Sequence, residues 1–364
     1  MAHPRRELLA LLVGTLVLAV AGCSSGAVSS PPSPTPTTTT PSTRSDDVLA
    51  RLLRAEEPGC SAAVGVAGTV AWAGARGVAD LTTKRPLTPG SVFDIASVSK
   101  QFTAAAILLL AQSGKLGLTD PLAAYLNGLP GWSHQVTINQ LVHHTSGIPD
   151  YTRLLLAAGF SLTERTTQAQ AIQALAKMPT LSAKPGTRFE YSNSNYVLLA
   201  EVVRAASGTP LPDFLRSNIF EPLHLDMRMD PLAKGPLVAT SYSKDGSEWR
   251  VADSAWTQLG DGSVHATASQ LVRWADNYRT GAVGGRQLLR DQTEQAVPTV
   301  PGGGRYGAGI AINPDNTLSH EGAWGGFTTL FGVSADRRTS IAVSCNTPAA
   351  DIGAIATALQ RIWT

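Results

Sequence analysis

The chain has 364 residues, 43% of them hydrophobic and 15% charged, with a net charge of +2. That length predicts two domains or one large domain of two lobes, and the apolar fraction excludes a wholly disordered or fibrous chain. Without a Lys/Arg stripe, the near-neutral charge gives no nucleic-acid footprint, and three cysteines are too few for a disulfide-dense mini-scaffold.

The first 23 residues read as an export signal. Arg5 and Arg6 precede an apolar run from Leu8 to Val20, then small residues and Cys23. About 13 apolar residues at 1.5 Å each are too short to cross roughly 30 Å of hydrocarbon, so the run is not a permanent span. Val20-Ala21-Gly22-Cys23 resembles a bacterial lipobox, which predicts lipidation of Cys23, anchoring at the outer face of the cell membrane, and removal of residues 1–22. Simple secretion is the alternative. From Ser24 to Ser45 nearly every residue is Ser, Thr or Pro. Such composition buries no core and favours extended polyproline segments, so residues 24–45 are expected to be a tether.

A globular domain is expected over 46–364. A helix is predicted at Asp46–Glu56, then a turn at Pro58-Gly59. A hairpin of Cys60–Val66 and Val70–Val78 follows, about Gly68-Thr69. Residues 96–290 read as mostly helical. Strand signals return at Tyr306–Ile312, Thr317–Gly322, Thr328–Ser334 and Thr339–Cys345, before a last helix over Ala350–Trp363. Strands at both ends with helices between predict an α+β fold, with one sheet completed by both chain termini and a helical lobe inserted.

Three segments carry chemistry. In Ala96-Ser97-Val98-Ser99-Lys100, Ser97 and Lys100 lie three apart at the start of an apolar helix closed by Gly114, hence on one face. A serine nucleophile needs a nearby proton acceptor, and a lysine held neutral by burial can serve. Ser-x-x-Lys is common by itself. Tyr191-Ser192-Asn193 precedes an amphipathic helix predicted over Val197–Ala206 and ending at Gly208, and His320-Glu321-Gly322-Ala323 sits on a strand.

Taken in this order, Ser97-x-x-Lys100, Tyr191-x-Asn193 and His320-x-Gly322 resemble the serine β-lactamase and penicillin-binding superfamily. The likeness is strongest to its class C-like branch of D-Ala-D-Ala carboxypeptidases, D-aminopeptidases and esterases. Segments Leu141–Pro149, Lys184–Gly186 and Gly260–Val264 also look familial, and the likeness runs from about Asp46 to the C-terminus. It implies a β-lactamase-like fold and acyl transfer through Ser97, without metal or organic cofactor. Lys100 would assist deprotonation of Ser97. Tyr191 would be the general base and the acid towards the leaving group, sharing a proton with Lys100. Asn193 would bind the substrate amide or orient Lys100, and His320 takes the place of the family's third-motif lysine. The N–H groups of Ser97 and Ala323 would form the oxyanion hole, with Gly322 admitting substrate close to the strand. The resemblance also places the strands that carry Cys60 and Cys345 side by side, which predicts a disulfide.

Histidine at 320 is mostly uncharged near pH 7, and Glu321 adds an acid where the family has a hydroxyl. Both weaken a clamp for a substrate carboxylate. The expected substrates are therefore small-molecule or peptide amides of the D-amino-acid type, cell-wall-derived ones included, or esters; a true β-lactamase and a non-catalytic binding protein are the alternatives. His134, His143 and His144 lack acidic or cysteine partners, so they are read as structural or surface residues rather than metal ligands.

Overall fold

The computed structural model describes residues 39–364; the leader, Cys23 and most of the Ser/Thr/Pro tether lie outside the described residues. The main sheet has eight antiparallel strands in the order Val297–Pro298, Arg305–Tyr306, Ala311–Ile312, Leu318–Trp324, Phe327–Val333, Thr339–Cys345, Cys60–Val66 and Thr69–Arg76. The N-terminal hairpin thus adds to the C-terminal strand, as expected of a sheet closed by both ends. Cys60 stands directly opposite Cys345 in that register, and the two form a disulfide.

One face of the sheet carries the terminal helices Pro41–Leu52 and Ile352–Trp363. Val48, Leu49, Ile355 and Leu359 pack there against Val64 and Val343. The other face meets the helix Ala268–Ala275 and the large core of the helical lobe. That lobe surrounds the helix Lys100–Gln112, in which ten residues are buried. Apolar side chains cover this helix almost all round, which suits a central position rather than a surface one. The helix Asn193–Ser207 packs against it and ends in a left-handed Gly208, as predicted.

Several boundaries differ from the sequence expectation. The first helix runs Pro41–Leu52, not Asp46–Glu56. Thr40 caps it through the Thr43 N–H, proline occupies its first turn, and Ser45 is buried, accepting the Trp363 indole N–H at 2.9 Å. Residues 41–45 therefore belong to the folded unit despite their tether-like composition. The strand expected over Tyr306–Ile312 is two short strands, because the chain turns back at Gly307–Gly309, with Gly309 at φ +74°. Any Cβ on Gly309 would also meet the Lys100 carbonyl at 2.6 Å. The helix expected to begin at Val197 starts at Asn193, which puts the last residue of the Tyr-x-Asn segment on its first turn. Further strands occur that the sequence does not predict: Phe93–Asp94, just before the helical region, joins Val264–Ala266 and Arg228–Met229 in a small sheet, and Tyr242–Asp245 pairs with Glu248–Val251.

Candidate active site

Ser97 lies in a single 3-10 turn, Ala96–Ser99, which leads into the helix Lys100–Gln112. The turn is strained at Ala96, whose φ is +49°, a region that non-glycine residues visit rarely. Two contacts hold it. The Ala96 N–H donates to the buried Asp94 carboxylate at 2.8 Å, and the Val98 N–H donates to the Ile95 carbonyl at 3.2 Å. The strand Leu318–Trp324 passes over this turn at Gly322, where any Cβ would run into the Ile95 carbonyl and stand 3.0 Å from the Ser97 nitrogen. Only glycine allows that approach. It brings Ala323 beside Ser97, whose N–H belongs to a first turn and so lacks an intrahelical acceptor.

Lys100 is fully buried and is the hub of the site. Its Nζ donates to Ser97 Oγ at 2.9 Å, Asn193 Oδ1 at 2.9 Å and the Asp261 carbonyl at 2.7 Å. Three oxygen acceptors match the three donors of the side chain and fix its position. Asn193 is itself held from behind. Its N–H and Nδ2 both donate to Asp150 Oδ2, at 2.8 and 3.0 Å, while Asp150 caps the helix Tyr151–Ala157 through Thr152. With Nδ2 committed to a carboxylate, the amide presents Oδ1 to Lys100.

Tyr191 is 39% exposed at the edge of the cleft, its ring 5.0 Å from Lys100 Nζ. The predicted sharing of a proton between its phenol and Lys100 has no direct hydrogen bond here; Lys100 gives its protons to Ser97, Asn193 and Asp261. What fixes Tyr191 is stacking on His144, with centroids 4.3 Å apart and planes at 29°. His144 is fully buried at φ +55°, and its Nδ1 accepts from the Ser192 N–H and from Asn195 Nδ2. Burial, reinforced by Lys100, pushes its pKa well below the usual histidine range. This histidine, read from sequence as structural or surface, is structural and lies directly beneath the expected general base.

His320 is equally constrained. Its Nδ1 lies 2.6 Å from the Glu321 carbonyl, so that nitrogen carries the proton, and Nε2 accepts from the Tyr306 phenol at 2.9 Å. Burial, then Lys100, lowers its pKa to about 3. The third-motif position therefore holds a neutral imidazole with both nitrogens occupied. Glu321 is exposed, at the rim of the cavity that His320 lines. His143 Nδ1 donates to the Asn139 carbonyl at 2.9 Å, and no metal-ligating group of three His, Cys, Asp or Glu occurs among the described residues.

The cleft divides at Ser97. On one side, Ser97, Asn193 and Ala323 join Tyr151, Trp256, Gln258, Asp261 and Trp324 around a cavity of about 40 Å³. On the other, the same three residues join Tyr191, Tyr306, His320 and Glu321 around an open cavity of about 610 Å³. Asp150, Tyr151, Asp261 and Tyr306 escaped the sequence reading. Asp150 and Tyr151 adjoin at the start of one helix, Asp261 lies in the segment Gly260–Val264, and Tyr306 opens a predicted strand, but no local motif gives any of them a role.

The family described as "Beta-lactamase" matches residues 46–361. The chain belongs to the β-lactamase family. It is 31% identical over 298 residues to penicillin-binding protein 4* of Bacillus subtilis (strain 168), covering 73% of this chain and 63% of that protein. It is 28% identical over 313 residues to a D-aminopeptidase of Cereibacter sphaeroides (strain ATCC 17029), covering 83% of this chain and 59% of the relative. The chain thus spans less than two thirds of the length of these curated relatives. Its fold also matches an octameric penicillin-binding protein homologue from Pyrococcus abyssi, with TM-score 0.74 and 26% identity over 85% of this chain and 74% of that one. The β-lactamase-like fold expected from the motifs is the fold observed.

Proposed function

We propose that the protein is an exported, lipid-anchored serine hydrolase that cleaves amides of small D-amino-acid-type acyl groups through an acyl-Ser97 intermediate. The observation that carries this reading is the buried Lys100 Nζ, 2.9 Å from Ser97 Oγ and held by two further acceptors. In the first half-reaction Ser97 Oγ attacks the carbonyl carbon and its proton passes to Tyr191 as general base, while Lys100 holds Ser97 Oγ by its hydrogen bond. The oxyanion forms at the N–H groups of Ser97 and Ala323. The C–N bond then breaks as Tyr191 protonates the departing amine. Water repeats the sequence on the ester and releases the acid and Ser97. A pair of oxyanion donors contributes roughly 3 kcal/mol each to such a step.

The neutral His320 supports a leaving group without a carboxylate, which speaks against peptidyl-D-Ala-D-Ala and penicillins as preferred substrates. Export is supported by the leader pattern and by the Cys60–Cys345 disulfide, a bond that persists in oxidising compartments. Esters remain a second reading, because the open Tyr191 side accepts an alcohol as readily as an amine. The test is turnover of D-alanine p-nitroanilide, p-nitrophenyl butyrate and nitrocefin by the purified domain. The anilide should be hydrolysed and nitrocefin should react slowly or not at all. Nitrocefin turnover faster than anilide turnover would overturn the proposal.

A further inference from the structure

We propose that Asp261, framed by Tyr151, Trp256 and Trp324, binds a free α-ammonium on the acyl group, which confines hydrolysis to substrates with an unblocked N-terminal amine. This inference rests on the acyl-Ser97 reading above and specifies its substrate class.

The position of the proton donor sets the direction of the scissile bond. The group that protonates the leaving amine must stand on the leaving-group side, and Tyr191 lines only the open side of the cleft. The acyl group therefore occupies the opposite, small side. That side has a volume of about 40 Å³, the room of roughly three waters, which suits an alanyl-sized group better than a peptidyl chain.

Its lining selects charge as well as size. Asp261 lines it, with Oδ2 accepting the Tyr151 phenol at 3.0 Å. Among the described residues no other side chain donates to this carboxylate, because Lys100 reaches the Asp261 backbone carbonyl instead. The second acid nearby, Asp150, is occupied by Asn193 and Thr152 and is not free to take a ligand. Aromatic side chains complete the lining: Tyr151 and Trp256 have centroids 6.2 Å apart, and Trp256 and Trp324 5.5 Å. A carboxylate among aromatic rings is a setting for an alkylammonium group, combining an ion pair with cation–π attraction. The free enzyme bears the cost of this site, since burial raises the Asp261 pKa to about 6; Lys100 and the Tyr151 phenol oppose that rise and Asp150 adds to it. An arriving ammonium would stabilise the ionised form.

The test compares kcat/KM for D-alanine p-nitroanilide with that for its N-acetyl derivative, in wild type and Asp261→Asn. Wild type should prefer the free amine at least about tenfold at pH 7, and the variant should lose most of that preference. A pH series from 5 to 7 on wild type gives a reading independent of the variant's folding. The substrate amine stays largely protonated there, so the preference should shrink as Asp261 takes up its proton below about pH 6. A preference that is absent in wild type, or equal in the variant and flat with pH, overturns the inference while the hydrolase reading stands. Failure of wild type to turn over either anilide or p-nitrophenyl butyrate overturns both.

Discussion

The two sides of the cleft meet at Ser97 but are built on opposite principles. The side proposed to take the acyl group is narrow and holds a carboxylate, Asp261, whose only side-chain partner among the described residues is a phenol. The leaving-group side is wide and holds an imidazole, His320, whose two nitrogens are both taken by the protein. Burial acts on both and drives each towards its neutral form, raising the carboxyl and lowering the imidazole. The consequences differ because the partners differ. Asp261 keeps acceptor capacity for a ligand, whereas His320 is spent in positioning the strand that carries Gly322 and Ala323. On the proposed reading, the Asp261 side is therefore the one that offers a buried carboxylate to a ligand.

The sharpest way to break this comparison is to remove the groups shared by both sides. Ser97→Ala should lower kcat on any substrate by at least about 10⁴-fold, measured by p-nitroaniline release. Lys100→Met should lower it by about 10³-fold. It also strips the hydrogen bond from Asn193 Oδ1 and the Asp261 carbonyl, so the urea midpoint should fall by an amount worth about 1–3 kcal/mol. Both losses should fall equally on substrates that exploit either side.

Next in size is the staple at the sheet's closure. The Cys60–Cys345 bond spans a sequence separation of 285 residues, so Cys345→Ser should cost about 3–5 kcal/mol in urea unfolding. Cys345 pairs with Thr328, which pairs in turn with Ala323, so the bond lies two strands from the cleft and kcat of the folded fraction should fall less than stability does.

His320→Lys sharpens the comparison by returning a cation to the leaving-group side. Acylation by benzylpenicillin should rise relative to anilide hydrolysis by roughly tenfold, followed by intact mass against time. An unchanged ratio would mean that the neutral imidazole does not set leaving-group preference.

The pH dependence of stability separates the sides most finely. The folded pKa of His320 is lowered to about 3, so the unfolded chain binds its proton first. Its stabilising contribution is complete above about pH 6.5 and is lost as pH falls from there towards 3; His144 acts in the same direction. Asp261 has the opposite sign. With its folded pKa raised to about 6, its contribution is complete below about pH 4 and is lost as pH rises through 6. Asp261→Asn should therefore raise Tm at pH 8 but not at pH 4, a gain in stability where function is lost.

Much of the frame was legible in the chain. Ser97, Lys100, Tyr191, Asn193 and His320 stand around one cleft because each lies at a punctuated position: a turn before a helix, a helix start, a strand passing that turn. The sheet closed by both ends followed from strand signals at both termini. The groups behind the site were not legible. Asp150, His144 and Tyr306 act through contacts that exist only once separate segments are packed; His144 lies in the familial segment Leu141–Pro149 and Tyr306 in a predicted strand, but neither placement gives a role. His320 shows the limit within a single motif. Its residue type suggested a weakened cation, but the Tyr306 phenol and the Glu321 carbonyl make it a neutral brace. The first helix misled for another reason: Pro and Thr, which dominate the tether, are also the residues that start a helix.

The central claim is that catalysis runs through an ester on Ser97, and acid-quenched intact mass with peptide mapping tests it directly. During the first turnovers of D-alanine p-nitrophenyl ester, the wild-type protein should gain the mass of one alanyl group. That mass should map to the peptide containing Ser97 and be absent from Ser97→Ala. Turnover that persists in Ser97→Ala, or an adduct mapping to another residue, would contradict it.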